Sequence, residues 1–392
     1  MDRNQIKRLM DNIYTSNEAA EYLNISTQRL NQLVHDKKIE PIKVSKSIML
    51  FLKSDLKKRK ISNVTNNKVE KSEGLFNINI PYVRDAILYY TIQQYFNNND
   101  KKTEEYIKII ENTHSFNYRS GLEINIPLLS SLLGVTKNEF YTCYKLVKES
   151  FSKLTEDVIL IKKGDEAYSK LLESTNEAPP YLFLKGNIHL LNEKSVCVVG
   201  SRNASSDSMK KTERIVQSLI KRNLVVNAGL AKGIDTATHK SALKYGGKTI
   251  AVIGTPINQY YPKENKELQM EIEKKGLVVS QFPPCNKVNR WNFPMRNGVM
   301  SGISIATIIM EAGETSGALK QADYALKQGR DVFIPQSAIN NSLIRWPSKY
   351  LAKGANAFKT LKDVLETLNK NELLFNIFNI MDMEEVSNVE MD

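Results

Sequence analysis

The sequence predicts an α/β protein built on a doubly wound parallel sheet, preceded by an N-terminal winged helix-turn-helix and a helical segment. Three observations carry this. From residue 194 onward, short runs rich in β-branched residues (SVCVVG, LVVNAG, KTIAVIG, LVVSQF, IATIIMEAG and DVFIP) are continuously apolar, as strands buried on both faces are. Between them lie segments of helical periodicity, such as MKKTERIVQSLIKR and SGALKQADYALKQG, and this alternation builds a Rossmann-like sheet covered on both sides. Finally, residues 1–72 hold 15 Lys+Arg against 8 Asp+Glu, which is +7 of the chain's net +12 and marks them as a separate basic module.

Taken in order, the N-terminal segment opens a helix at TSNEAAEYL, where Thr15 stands three residues before Glu18 in capping-box spacing. Leu23, Ile25, Leu30, Leu33 and Val34 give an apolar stripe over two helices with a turn at Asn24-Ile25-Ser26. Gln28, Arg29, Asn31 and Gln32 fall on the outward face of the second helix and are side-chain types that reach base edges in a major groove. KIEPIKVSKSIMLFLKSDL then reads as a two-stranded wing and a helix capped at Ser54. Over about 50 residues this resembles the winged helix-turn-helix of the excisionase and MerR-like families, with a small protein-interaction domain as the alternative. The expected division is 1–60 winged helix-turn-helix, 61–74 an Asn/Lys/Ser-rich linker, 75–160 a helical domain, 161–360 the sheet domain, and 361–392 a helix with an acidic tail.

Composition excludes several classes. The first twenty residues are polar throughout and no apolar run reaches membrane-span length, so neither a signal peptide nor a membrane partner is expected. Three scattered cysteines and four scattered histidines lack disulfide or metal-ligand spacing, which fits a cytoplasmic protein without a metal or other cofactor. GGKT at 246–249 is not the end of a phosphate-binding P-loop: the first glycine would have to stand at Ala242, and the helix precedes the strand. GxGxxG is missing after Gly200, which argues against a nicotinamide cofactor.

Three strand ends suit anions. Gly200, Ser201 and Arg202 combine open backbone, a hydroxyl and a guanidinium fork, with a helix starting near Ser206 or Asp207 aimed at the same place. AGLAKGID offers Gly229, Lys232 and Gly233, with Asp235 as the expected helix cap. EAGETSGAL places Glu311 at a strand end and Ser316-Gly317 at a helix start. In a doubly wound sheet all three would lie on one edge, suited to a phosphate-bearing ligand.

The segment GDEAYSKLLESTNEAPPYLFLKGNIHLL and the motifs VCVVGSR, AGLAKGIDTATHKSAL, GGKTIAVIGTPINQYYPKEN, FPMRN, EAGETSGAL and GRDVFIP, in this order over residues 164–358, resemble the DNA-processing protein A (DprA/Smf) family. The resemblance implies a Rossmann-like domain that binds single-stranded DNA, helps load RecA recombinase, acts as a homodimer and is not an enzyme. It implies that Gly200, Ser201 and Arg202 hold phosphate, that Lys232 replaces a common arginine, and that Phe293, Pro294, Arg296 and Asn297 match FPxRN. Glu311, Ser316 and Gly317 match the acidic strand end and SG loop. Gly298, Gln336 and Trp346-Pro347-Ser348 depart from the family pattern and touch the expected pocket wall. Residues after 361 are too few for the C-terminal winged helix of many relatives, and duplex DNA is assigned instead to the N-terminal module. Two rivals stay open: a regulator that senses or cleaves nucleotides, with Glu311 or Glu314 as acid-base group, and a site-specific transcriptional repressor.

Overall fold

A computed structural model describes residues 13–23, 27–36, 39–44, 49–52, 56, 76–112, 122–368 and 370. The chain divides into two compact units, 1–73 and 74–392. The helix capped at Ser54, the linker 61–74 and the acidic tail fall outside the described residues.

In the first unit, β1 (Ile13–Thr15) leads into α1 (Ser16–Leu23), followed by α2 (Thr27–His35), β2 (Lys43–Val44) and β3 (Met49–Leu52). The capping box forms: Glu18 Oε2 accepts from the Thr15 amide at 2.8 Å, and the Glu18 amide reaches Thr15 Oγ1 at 3.5 Å. Burial of Ala19, Ala20, Leu30, Leu33 and Phe51 holds the helices against the strands. The wing has one strand more than expected, because β1 pairs antiparallel with β3 to give the order β1-β3-β2.

The second unit begins with α3 (Pro81–Tyr95), α4 (Asp100–Glu111), α5 (Leu122–Leu133) and α6 (Lys137–Ser152). These helices form no unit of their own. Tyr90 of α3 and Phe151 of α6 pack with Phe183 and Tyr181 at ring separations of 5.7–6.1 Å, so the helices share a core with the sheet.

Next come β4 (Ile159–Lys162), α7 (Lys170–Glu173), β5 (Tyr181–Gly186), β6 (Ser195–Val199), α8 (Ser206–Ile220), β7 (Val225–Ala228), α9 (Ile234–Lys244), β8 (Thr249–Val252), α10 (Lys266–Lys275) and β9 (Leu277–Ser280). The chain ends with α11 (Asn292–Gly302), β10 (Ala306–Ile309), α12 (Gly317–Lys327), β11 (Asp331–Pro335), α13 (Gln336–Ile339), α14 (Trp346–Leu351), β12 (Asn356–Phe358) and α15 (Leu361–Leu368). The nine-stranded sheet has the order β12-β11-β10-β6-β7-β8-β9-β5-β4. The seven strands from β12 to β9 are parallel, and β5 and β4 extend that edge antiparallel. Strands β6 to β10 are buried along their whole length, which explains their unbroken apolar runs. Ile215, Val216 and Leu219 of α8 cover one face, while Val299, Met300 and Ile303 of α11 cover the other. Each such side chain contributes roughly 1.5–3 kcal/mol of burial. Gly246, at φ +68°, follows α9, and Thr249 opens β8, so GGKT is a helix stop before a strand. Among the described residues no helix is long and apolar enough to cross a membrane.

From β6 the order runs one way to β9; the chain then returns to place β10 on the other side of β6. The reversal between β6 and β10 is a topological switch point, where a crevice opens beyond the carboxyl ends of the strands.

Candidate functional site

Three loops meet at this switch point and are laced through their backbones. The Ser201 amide donates to the Glu311 carbonyl at 2.7 Å, joining the β6 and β10 loops, and the Ile234 amide donates to the Ser201 carbonyl at 3.2 Å, joining β6 to the β7 loop. Gly233, at φ +71°, is required here, since a Cβ would stand 2.2 Å from Ser201 O. Gly200 is similarly confined, its would-be Cβ 2.6 Å from Ile234 Cγ1.

The β7 loop is braced from below. Asp235, buried, accepts from the Gly229 and Ala231 amides at 3.0 and 3.3 Å. It is therefore the second residue of α9, tying down the preceding loop, and the N-cap position belongs to Gly233. Asn265, also buried, donates to the Leu230 carbonyl at 2.9 Å and to Thr236 Oγ1 at 2.9 Å. Sequence reasoning missed both braces, although Asn265 closes the motif YPKEN.

Arg296 and Asn297 do not lie on the exposed rim. Arg296 is 5% exposed; its Nη1 donates to the Val252 carbonyl at 2.7 Å and lies 1.5 Å from where a Gly229 Cβ would be. Gly229 is thus glycine to admit a guanidinium, rather than to admit a ligand. Burial pushes the Asp235 carboxyl upward against the pull of Arg296 and the loop amides, and burial lowers the Arg296 pKa against the pull of Asp235. Asn297 is buried and donates at 3.4 Å to the Gly317 carbonyl, tethering the start of α12. Phe293 fills the space left by Gly254 and packs its ring 5.1 Å from that of Tyr261.

The anion-receptive points differ in occupancy. The start of α8 is filled: Glu311 accepts from the Ser205 amide at 3.1 Å and from Ser205 Oγ at 2.8 Å. Burial would raise its pKa, but hydrogen bonds from Ser208 and Ser205 outweigh this and hold the carboxyl below the usual carboxylate range. The first turn of α12 carries no acidic residue, and its cap is neutral, Ser316 Oγ accepting from the Ala318 amide at 3.3 Å. Arg202 is exposed and its side chain has no hydrogen-bond or ion-pair partner among the described residues. Lys232, exposed, pairs with exposed Glu264. The departures from the family pattern also find places. A Cβ on Gly298 would lie 2.8 Å from Glu177 Cγ, and Trp346, 1% exposed, is a core residue at the start of α14 whose amide is capped by Glu314 at 3.1 Å. Gln336 begins α13 and donates to Asn340 Oδ1 at 2.9 Å.

Residues 159–369, just over half of the chain, match the family model described as DNA recombination-mediator protein A. The chain belongs to the DNA recombination-mediator protein A family. Within the DprA/Smf proteins it is 41% identical over 201 residues to the DNA processing protein DprA of Streptococcus pneumoniae, covering 51% of this chain and 71% of that one. It is 31% identical over 241 residues to the Bacillus subtilis DprA, covering 61% and 81%. The X-ray structure of the Streptococcus pneumoniae DprA matches with a TM-score of 0.58 at 32% identity, over 73% of this chain and 97% of that one. Residues 13–60 match a helix-turn-helix domain model, an addition at the N-terminal side of the family domain.

In the helix-turn-helix, Asn31 and Gln32 are exposed on α2, with Gln32 Nε2 donating to Asp36 Oδ1 at 2.9 Å. Gln28 and Arg29 belong to the same helix, and their side chains lie outside the described residues.

Proposed function

We propose that this DprA/Smf protein binds single-stranded DNA by its phosphate backbone at the switch-point rim and engages duplex DNA through α2 of the N-terminal unit. The observation that carries the reading is the lacing of the β6, β7 and β10 loops around an exposed Arg202 whose side chain has no hydrogen-bond or ion-pair partner among the described residues. Ser201, Arg202, Ser316, Gly317 and the exposed Lys232 are the groups we assign to phosphate; Gly200, Gly229, Gly233, Arg296 and Asn297 position them, and Phe293 borders the path. A guanidinium on the β6 loop and an acid-free helix start after the β10 loop, two loops joined through Ser201 and Glu311, each suit phosphate oxygens, the one through a fork and the other through a dipole. Gln28, Arg29, Asn31 and Gln32 are assigned to base edges of the duplex.

Glu311 and Glu314 are both engaged in capping, which supports a role without bond-breaking chemistry and disfavours the nucleotide-cleaving alternative. Delivery of the strand to a RecA-type recombinase, a homodimeric state and a cytoplasmic setting complete the proposal, on the strength of family membership.

Arg202→Ala should weaken single-strand binding across all sequences by about 1–3 kcal/mol. Wild-type affinity should fall steeply as salt rises. Fluorescence anisotropy with labelled oligo-dT reads both, and an Arg202→Ala variant that binds undiminished would remove the reading.

A further inference from the structure

Between α11 and α12 lies an open groove of about 370 Å³, lined by Trp291, Pro294, Met295, Lys320, Asp323, Tyr324 and Lys327. Trp291 is 77% exposed and Met295 47%, an unusual amount of large apolar surface to leave in water. Its backbone is nonetheless fixed: the Trp291 amide donates to Asn289 Oδ1 at 2.9 Å, and its carbonyl accepts from the Met295 amide at 3.2 Å. The ring is therefore presented by an anchored helix start. Groove and rim share α12, which carries Gly317 at its start and Lys320 one turn further on in the groove lining.

The charges identify what fits. Asp323 lines the groove and Glu177 pairs with its Lys327, and both carboxylates are already engaged. Asp323 accepts from Lys353 at 2.6 Å and Tyr350 at 3.0 Å, and Glu177 from Lys327 at 2.8 Å and Gln328 at 2.9 Å. Lys320, 70% exposed, stands 3.9 Å from Asp323 as the third lysine against these two acids. Arg290, next to Trp291, is exposed with no side-chain partner among the described residues. An apolar aromatic floor with surplus cations at its borders matches unpaired bases carrying phosphates. A duplex, whose base faces are hidden by stacking and pairing, offers no such fit.

We infer that this groove is a base-stacking subsite in which Trp291 receives a base of single-stranded DNA leaving the phosphate rim. The inference rests on the single-strand reading above and extends the strand path down the α11–α12 face.

The full chain tests it directly. It has two tryptophans, and Trp346 is buried, so a change in emission on DNA binding reports Trp291. Saturating oligo-dT should quench that emission, whereas an abasic oligomer of equal length should not. Trp291→Ala should weaken oligo-dT binding on the order of tenfold, with little change for the abasic oligomer, and Trp291→Phe should restore most of the loss. Melting temperatures equal to wild type are the folding control. Unchanged emission at saturation, or Trp291→Ala binding oligo-dT like wild type while Arg202→Ala is weakened, overturns the subsite and leaves the rim standing. Undiminished binding by Arg202→Ala removes the rim instead. A ring already shielded from acrylamide without DNA would mean that another copy of the chain covers the groove, which also overturns the inference.

Discussion

Asp235 and Arg296, each 5% exposed, lie beneath the rim of the sheet, whereas Asn31 and Gln32 of the N-terminal unit stand exposed on α2. Below α2 the described core is small, seven buried apolar residues with two alanines among them. The rim presents backbone and one guanidinium from a scaffold fixed by glycines that tolerate no Cβ. The helix presents side chains that can be exchanged without touching the core. A surface of the first kind suits a ligand whose repeating unit is constant; one of the second kind suits a ligand read unit by unit.

Gly229→Ala should break the comparison most severely. Its methyl would fall on the Arg296 guanidinium, evicting a buried charge from its carbonyl partner, so urea denaturation should show a loss of about 3–5 kcal/mol. A variant as stable as wild type would mean that the guanidinium is not anchored. Arg296→Met keeps the bulk but leaves Asp235 without its neighbouring cation, at a cost of about 3 kcal/mol near neutrality. The folded pKa of Asp235 is raised, so its contribution is present below the unfolded value and is lost as pH rises through the folded one. Removing the cation raises it further, and the deficit of Arg296→Met should shrink as pH falls and be relieved by adding Asp235→Asn.

His239 sharpens the same point more gently. It is fully buried against Thr249 Oγ1 at 2.8 Å, and burial lowers its pKa to about 3. The unfolded chain therefore binds a proton that the fold does not. Stability from this group is complete above about pH 6.5 and falls by about 1.4 kcal/mol per pH unit below it. His239→Gln should flatten that slope in urea midpoints compared between pH 7 and pH 5. Least affected is α2: Asn31→Ala and Gln32→Ala should move stability by no more than about 0.5 kcal/mol. Each should nonetheless weaken binding to a preferred duplex by about 1–3 kcal/mol for every base it reads, as gel shifts would report.

These contrasts also explain what could be read in advance. The sheet was legible because strands buried on both faces leave long apolar runs, and the Thr15–Glu18 cap because it is local. Strands β4 and β5 were not, since antiparallel edge pairing has no signature in YLFLKG beyond hydrophobicity. Helices α3 to α6 have apolar faces that look the same whether they pack on one another or, as Tyr90 and Phe151 do, on a sheet. Within the site, the strand-end loops were recognisable, but the direction of a side chain was not. FPMRN gives no sign that its arginine turns inward, because the vacancy that receives it is made by Gly229, sixty-seven residues earlier in the chain. Asp235 read as a cap for the same reason.

With Glu311 seated at the start of α8, the protein supplies its own competitor there, so a free mononucleotide would have to displace a carboxylate held by Ser205 through two hydrogen bonds. A polymer escapes that contest by summing several modest grips along its length, each raising the effective concentration for the next. At the start of α8, then, the side chain disfavours a small phosphate, and a strand held as proposed at Arg202 and the start of α12 would not have to displace it.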